Sequence, residues 1–386
     1  MPTPLLFTPI ELRDVKLKNR VVVAPMHQYA AEKGFATDWH LMNAGRFAAG
    51  GAGLVIMEST KVERRGCGTV GDLGLWRDEH VPGLKRCADF IRQHGAVPGI
   101  QLGHSGRKSR RFRPWEGGKP LVPSAEIDDW DAWELISSSA LQSPESEPFP
   151  RALTRDEIPK VIDSWAQAAR RANEAGFDML EIHAAHGYLI HQFLSPFANA
   201  RNDEYGGSEI NRFRFCVEIV EAIREHWPAS KPLFLRLSVQ DDSGFGPDES
   251  VRLARIVKEK GVDVIDCSSG GMSGAPVVSA GPVGYGYQVP YAEKLRKEAG
   301  IMSMAVGLIV HADQAEQILQ DGRADLIALA RELLYNPNWP MDAAQKLGVD
   351  QRFELVPPPQ QYWLSKRAQS VKDVVPSTYG RGIEKV

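Results

Sequence analysis

Residues 158–188 read IPKVIDSWAQAARRANEAGFDMLEIHAAHGY. Val161, Trp165, Ala168 and Ala172 recur at helical spacing, which gives 158–175 one apolar face. Gly176 suits the left-handed turn that closes such a helix. The pattern then changes. Residues 179–183 are MLEIH, a short and mostly apolar run of the kind found in strands buried on both faces of a parallel sheet. That run leads straight into His183, His186 and Tyr188. Helix, tight turn, buried strand and polar exit together make one unit of an alternating α/β protein.

Working outward, similar apolar runs occur at 21–25, 54–58, 97–102, 233–239, 264–267, 301–306 and 326–330. Helical patterns lie between them at 211–227, 250–260 and 311–320. Eight strands alternating with helices predict a (β/α)8 TIM barrel. An open, doubly wound sheet usually needs fewer strands, and no GxGxxG follows the first one. The longest gap, 106–150, is rich in Ser, Pro and acidic residues. On a barrel it follows strand three and lies over the C-terminal mouth, as a functional or mobile loop. From about residue 338 the chain is proline-punctuated, then basic and polar, and reads as an extension on the surface or on a neighbouring subunit.

Composition narrows the class. The 386 residues carry 46 Lys+Arg against 49 Asp+Glu, a near balance that argues against a nucleic-acid partner. No apolar run approaches the ~18 residues of a membrane span, and the start lacks a basic-then-apolar leader. The four cysteines are scattered with no CxxC pair, which argues against a zinc ribbon or iron–sulfur cluster and fits a reducing cytoplasm.

Reactive groups of a barrel sit at the C-terminal ends of its strands. Strand one ends at Pro25, Met26, His27 and Tyr29; strand two near Ser59; strand three near Gln101 and His104; strand four at His183, His186 and Tyr188. Arg236 lies in strand five, Gly307 follows strand seven, and Ala330-Arg331 follows strand eight. Three readings stand for His183 and His186. They donate hydrogen bonds to one developing negative oxygen, they bind a metal with His27 or His104 as third ligand, or one caps a loop and the other is a satisfied core residue. Tyr188 is a proton donor or a packed aromatic. Gln101 and Arg236 need polar partners inside an apolar strand: either a flat, mixed-edge ligand, or protein groups, which for Arg236 means an Asp or Glu, with Glu181 one candidate. Gly307 and Arg331 stand where barrels commonly bind phosphate, or are a turn glycine and a surface arginine.

The chain resembles the Old Yellow Enzyme family of FMN-dependent NAD(P)H oxidoreductases, in particular its bacterial ene-reductase and xenobiotic reductase branch. The resemblance runs from LFTPIELRDVKLKNRVVVAPM (6–26) to PPPQQYW (357–363). It rests most on EIHAAHGYLIHQFLSP (181–196) and NARNDEYGGSEINRFRF (199–215), with GIQLGHSGRK (99–108), PWEGG (114–118), DCSSGG (266–271), AVGLI (305–309) and DLIALAREL (325–333) in order. It implies an FMN-binding barrel over 1–340, with FMN at the mouth, and a C-terminal extension over 341–386 at a subunit interface of a homodimer or homotetramer. It implies NADPH or NADH as reductant and reduction of activated C=C bonds in enones, enals, maleimides or nitro compounds. By the same resemblance His183 and His186 hold the substrate oxygen, Tyr188 donates the proton and Tyr29 lines the pocket. Gln101 and Arg236 contact the isoalloxazine, Pro25, Met26 and Ser59 touch the flavin through backbone, and Gly307, Ala330 and Arg331 take the phosphate. No metal is implied.

Three positions depart from the family pattern. His27 stands where the bacterial branch keeps a cysteine beside the flavin, which predicts an altered flavin potential and substrate choice. Ala330 replaces a glycine but still permits a backbone contact. QYW (361–363) matches the branch's C-terminal motif without its arginine, leaving Trp363 or Arg367 to take that place. The competing functions are a metal-dependent barrel lyase or hydrolase built on His183 and His186, and a flavin-binding protein of low activity.

Overall fold

The computed structural model describes residues 4–124, 127–141, 149–273 and 283–370. Eight parallel strands close into a barrel: β1 (Val21–Val23), β2 (Leu54–Lys61), β3 (Val97–Gly103), β4 (Met179–Ala184), β5 (Leu233–Gln240), β6 (Val264–Ser269), β7 (Met302–Ala305) and β8 (Leu326–Leu329). Each pairs with its sequence neighbours, and β8 pairs with β1 to close the ring. Helices follow the strands, among them α1 (Asp38–Ala49), α2 (Val81–Gln93), α3 (Ile158–Glu174), α4 (Glu209–His226), α5 (Pro247–Glu259), α6 (Val289–Lys294) and α7 (Ala312–Gln320). The fold is the TIM barrel that the alternation predicts, and the open sheet is excluded by its closure.

Strand periodicity sorts the core into two shells. Outward residues such as Val23, Val55, Leu180, Ile182 and Leu235 pack under the helices, with Trp165 and Ala168 of α3 fully buried among them. Inward residues Val22, Leu54, Met179, Phe234, Val264, Met304 and Leu326 fill the barrel floor. A hairpin of Ile10–Leu12 and Val15–Leu17 plugs it from below with Leu12 and Leu17. One layer higher the interior turns polar. Gln101 of β3 is level with Glu181 of β4, and Arg236 of β5 with Asp266 of β6.

Two sequence expectations change. β2 runs on through Lys61 instead of ending at 58, across a register shift against β3 between Met57 and Thr60. Its polar residues Glu58–Lys61 are all buried, because each charge has a partner below the mouth. The chain beyond 338, expected as an extension on the surface or on a neighbouring subunit, begins with a packed helix. α8 (Trp339–Lys346) buries Trp339, Ala343 and Ala344, so the 340/341 boundary falls inside a packed helix. α9 (Pro358–Ser370) buries none of its residues. Residues 371–386 of the expected extension lie outside the described residues. Among the described residues no helix is long and apolar enough to cross a membrane.

Candidate active site

A cavity of about 610 Å³ opens at the C-terminal ends of the strands. Eleven of the residues singled out from sequence line it: Pro25, His27, Tyr29, Gln101, His183, His186, Tyr188, Arg236, Gly307, Ala330 and Arg331. Met26 and Ser59 do not. Met26 packs towards the core beside α1, and Ser59 accepts a hydrogen bond from the buried Lys61 ammonium at 3.1 Å. The first part of the long β3–α3 loop contributes Lys108, Arg111, Phe112 and Pro114 to the lining.

β4 carries the densest chemistry. Gly187 (φ +71°) turns the chain so closely that a Cβ there would lie 2.3 Å from the Gly271 carbonyl oxygen. His186 is itself held at φ +57°, its N–H donating to Ser238 Oγ at 3.0 Å. That strained backbone faces the two imidazoles towards each other, with His186 Nδ1 3.4 Å from His183 Nε2. The Ala185 N–H donates to His183 Nδ1 at 3.2 Å, so the neutral ring carries its proton on Nε2. Ser268 Oγ lies 2.7 Å from His186 Nε2 and accepts from Gln288 Nε2 at 3.4 Å. The His183 Nε2–H and His186 Nδ1 thus face one another in the cavity lining. Burial pushes both histidines well below the ordinary imidazole value, with His186 and then Arg236 adding to it at His183, and Arg236 adding to it at His186. Both rings are neutral at neutral pH.

Tyr188 stacks on His183, ring centroids 4.5 Å apart. Beneath its ring lies the Lys61 ammonium, 4.8 Å from the centroid. Lys61 is fully buried and pairs at 3.5 Å with Asp72, whose carboxylate also accepts from Gly68 and Thr69. Across the cavity the Tyr188 hydroxyl is 3.3 Å from His27 Nε2. Tyr29, at φ +53°, stacks on His27. Burial and the neighbouring Tyr188 and Asp72 raise its phenol above the usual range.

Arg236 corrects the expected pairing. Its partner is Asp266 rather than Glu181. Glu181 accepts instead from Gln101 Nε2 at 2.7 Å. One arginine thus serves two buried carboxyls; desolvation raises both, and the charge of Asp266 raises Glu181 further. His104 is also reassigned. It is buried against Glu63 at 2.8 Å and accepts from the Gly106 N–H, so it is not a third ligand for the β4 pair. Among the described residues no group of three or more His, Cys, Asp or Glu is placed to hold a metal. The sequence reading placed Glu58 at the end of strand two without a role and did not single out Lys61, Asp72 or His40, although Lys61 lies at the same strand end where the barrel rule would look.

The model for the NADH:flavin oxidoreductase / NADH oxidase family matches residues 5–350. The chain belongs to this family, the Old Yellow Enzymes. Its curated relatives include an NADPH dehydrogenase of Geobacillus sp. (strain WCH70), 46% identical over 89% of this chain and 95% of that protein. Among solved structures, morphinone reductase in complex with tetrahydroNAD is 28% identical with a TM-score of 0.74, covering 90% of this chain and 92% of that one. The Old Yellow Enzyme homologue from Zymomonas mobilis is 26% identical with a TM-score of 0.74, covering 89% and 93%. As an Old Yellow Enzyme the chain is an FMN-dependent NAD(P)H oxidoreductase.

The cavity fits that cofactor. Its volume is within the range of sites that enclose a cofactor-sized molecule. Gly307 (φ +108°) would place a Cβ 2.7 Å from Gln288 Oε1, so the position stays open for close backbone approach beside Arg331. The Arg236 guanidinium and the Gln101 amide supply a charged and a neutral polar group for the ring.

Proposed function

We propose that this Old Yellow Enzyme reduces activated C=C bonds, in enones, enals, maleimides or nitroalkenes, with NADPH or NADH as the electron source. The reading is carried by the two neutral imidazoles of β4, His183 Nε2 and His186 Nδ1 3.4 Å apart in the cavity lining, with the Tyr188 phenol stacked beside them. Donors aimed where an oxygen gains charge stabilise an enolate-like transition state and need no reorganisation. Neutral donors suit that role, since they polarise the oxygen without giving up their protons.

When bound, FMN supplies the two-electron reservoir between nicotinamide and alkene. Gln101 and Arg236 would hold its ring, Gly307, Ala330 and Arg331 its phosphate, and Pro25 would approach through backbone. His183 and His186 hold the substrate oxygen. Tyr188 delivers its hydroxyl proton to the α carbon, and the Lys61 ammonium under its ring stabilises the phenolate that forms. Tyr29 and the β3–α3 loop close the pocket over the substrate. Exposed Tyr362 and Trp363 on α9, a helix its own barrel does not cover, support a homodimer or homotetramer. Four buried, unpaired cysteines agree with a cytoplasmic location.

The test is an anaerobic titration of the purified flavoprotein with NADPH and NADH, followed by mixing with 2-cyclohexenone, N-ethylmaleimide and nitrostyrene. Flavin reduction by a nicotinamide and reoxidation by at least one alkene are expected. Tyr188→Phe is expected to slow alkene-driven reoxidation by ~10²-fold or more while changing flavin reduction little. A protein reoxidised only by oxygen would refute the reading.

A further inference from the structure

The motif at the β4 exit continues past the groups that the reaction uses. Residues 189–192 read LIHQ and open a short helix, Leu189–Leu194, in which every residue is buried. Its two polar members, His191 and Gln192, are wholly buried, and neither lines the cavity. Buried polar side chains in an otherwise apolar helix must find partners. Both find them on Gly187.

Gly187 sits between His186 and Tyr188, and each of its two peptide groups is held by one of these side chains. The Gly187 N–H donates to His191 Nδ1 at 2.9 Å. A backbone amide can only donate, so Nδ1 is the unprotonated nitrogen and acts as an acceptor. The Gly187 carbonyl oxygen accepts from Gln192 Nε2 at 2.7 Å. The neighbouring peptides are held as well. The His186 N–H donates to Ser238 Oγ at 3.0 Å, and the Tyr188 carbonyl oxygen accepts from the Gln192 N–H at 2.8 Å. Restraint is needed here, because His186 and Gly187 are consecutive residues at φ +57° and +71°. A histidine keeps such backbone only where its surroundings impose it.

Gln192 also reaches the exit of β3. Its Nε2 donates to the Ser105 carbonyl oxygen at 3.3 Å, and its Oε1 accepts from the Arg107 N–H at 3.4 Å. Gly106 leaves room for this amide: it stands at φ +58°, and a Cβ there would lie 2.5 Å from Gln192 Oε1. The Leu189 N–H adds a bond to the His104 carbonyl oxygen at 2.9 Å. The turn after β3 leads to Phe112 and Pro114 in the cavity lining. One buried amide thus ties the loop over the pocket to the glycine between His186 and Tyr188.

We propose that His191 and Gln192 are positioning residues for alkene reduction, which hold the two peptide groups of Gly187 and so fix where the His186 imidazole and the Tyr188 phenol stand. The proposal rests on those two groups meeting the substrate. Neither positioning residue touches substrate or moves a proton. Turning either peptide of Gly187 swings the ring on one side of it against the ring on the other. His186 Nδ1 then leaves its place 3.4 Å from His183 Nε2. A misplacement of about 1 Å costs a reaction up to ~10²-fold. The groups proposed to hold the flavin, Gln101, Arg236 and Arg331, lie on other strands or beyond them and need not move with Gly187.

The experiment compares flavin-loaded wild type, His191→Leu, His191→Asn, Gln192→Met and Gln192→Glu. Two values are read per bound flavin: the single-turnover rate of reoxidation by 2-cyclohexenone, and the Kd of 4-chlorophenol, an enolate mimic, from the flavin absorbance. Flavin content and melting temperature are measured beside them. His191→Leu removes the acceptor, and Gln192→Met and Gln192→Glu remove both donors. Each is expected to slow reoxidation and to weaken phenol binding about tenfold. His191→Asn keeps an acceptor close to the Nδ1 position and is expected to recover both values to within about threefold of wild type. A purely structural role would lower melting temperature and flavin content while leaving both values per bound flavin unchanged, and that result overturns the proposal. A His191→Asn enzyme no better than His191→Leu overturns it for His191. The two positions are tested separately, so a variant that does not fold at one leaves the other to decide. If no alkene reoxidises the wild type, the ene-reductase reading falls, and phenol binding alone decides the positioning.

Discussion

At His27 one ring stacks on Tyr29, faces Tyr188 and backs onto Glu58. The chain's family resemblance places a cysteine there in the bacterial branch, and a cysteine could make none of these contacts at the same reach. An imidazole in the cavity lining offers hydrogen-bonding nitrogens where a cysteine offers a thiol, so the two set different surroundings for a bound flavin. His27→Cys is accordingly expected to shift the two-electron midpoint by roughly 30 mV or more, the equivalent of ~1.4 kcal/mol. Redox titration against a dye of known potential measures it, and an unchanged midpoint would show that the ring does not act on the flavin.

Elements explain what could be read in the sequence and what could not. The α3–β4 unit was legible because its two periods change abruptly at Gly176, and its polar exit follows at once. His183, His186 and Tyr188 were legible for the same reason. Lys61 was not, because ESTK looks like the end of a strand. The register shift after Met57 carries these polar residues inward, where Asp72 pairs with Lys61 and His40 with Glu58. The partner of Arg236 was misread through register. Arg236 is level with His183 on β4 and with Asp266 on β6, so Glu181 lies two residues lower on its strand. Sequence distance gives no access to that stagger. The same β4 exit depends on its glycine. Gly187→Ala puts a side chain at φ +71° and within 2.3 Å of the Gly271 carbonyl oxygen. It should lower stability by about 1–3 kcal/mol and displace His186, with the loss visible in urea unfolding and as weaker binding of a phenolic enolate mimic.

Across the whole molecule the barrel is layered along its axis: an apolar floor, a charged middle, and a polar mouth. The middle layer holds two carboxyls, Glu181 and Asp266, with one arginine between them. Folding carries both carboxyls out of water, and burial raises both, Glu181 further by the charge of Asp266. Above the ordinary carboxyl range the folded chain therefore binds more protons than the unfolded chain. Stability must then fall as pH rises, by at most ~1.4 kcal/mol per pH unit for one excess proton. Glu58 and Glu63 shift the opposite way, held down at about 2. The stability they contribute is present above the usual carboxyl value and is lost only as pH falls towards about 2, so the two effects do not overlap. Calorimetry of the flavin-free protein between about pH 5 and pH 8 should show a melting temperature that declines with pH, and Glu181→Gln should flatten the decline by removing the second carboxyl. A slope unchanged by Glu181→Gln would mean that Arg236 neutralises both groups and that the barrel stores no proton. A flattened slope would mean that a proton is held in the layer directly below the cavity, on groups in contact with the two side chains, Gln101 and Arg236, that are proposed to hold the flavin ring.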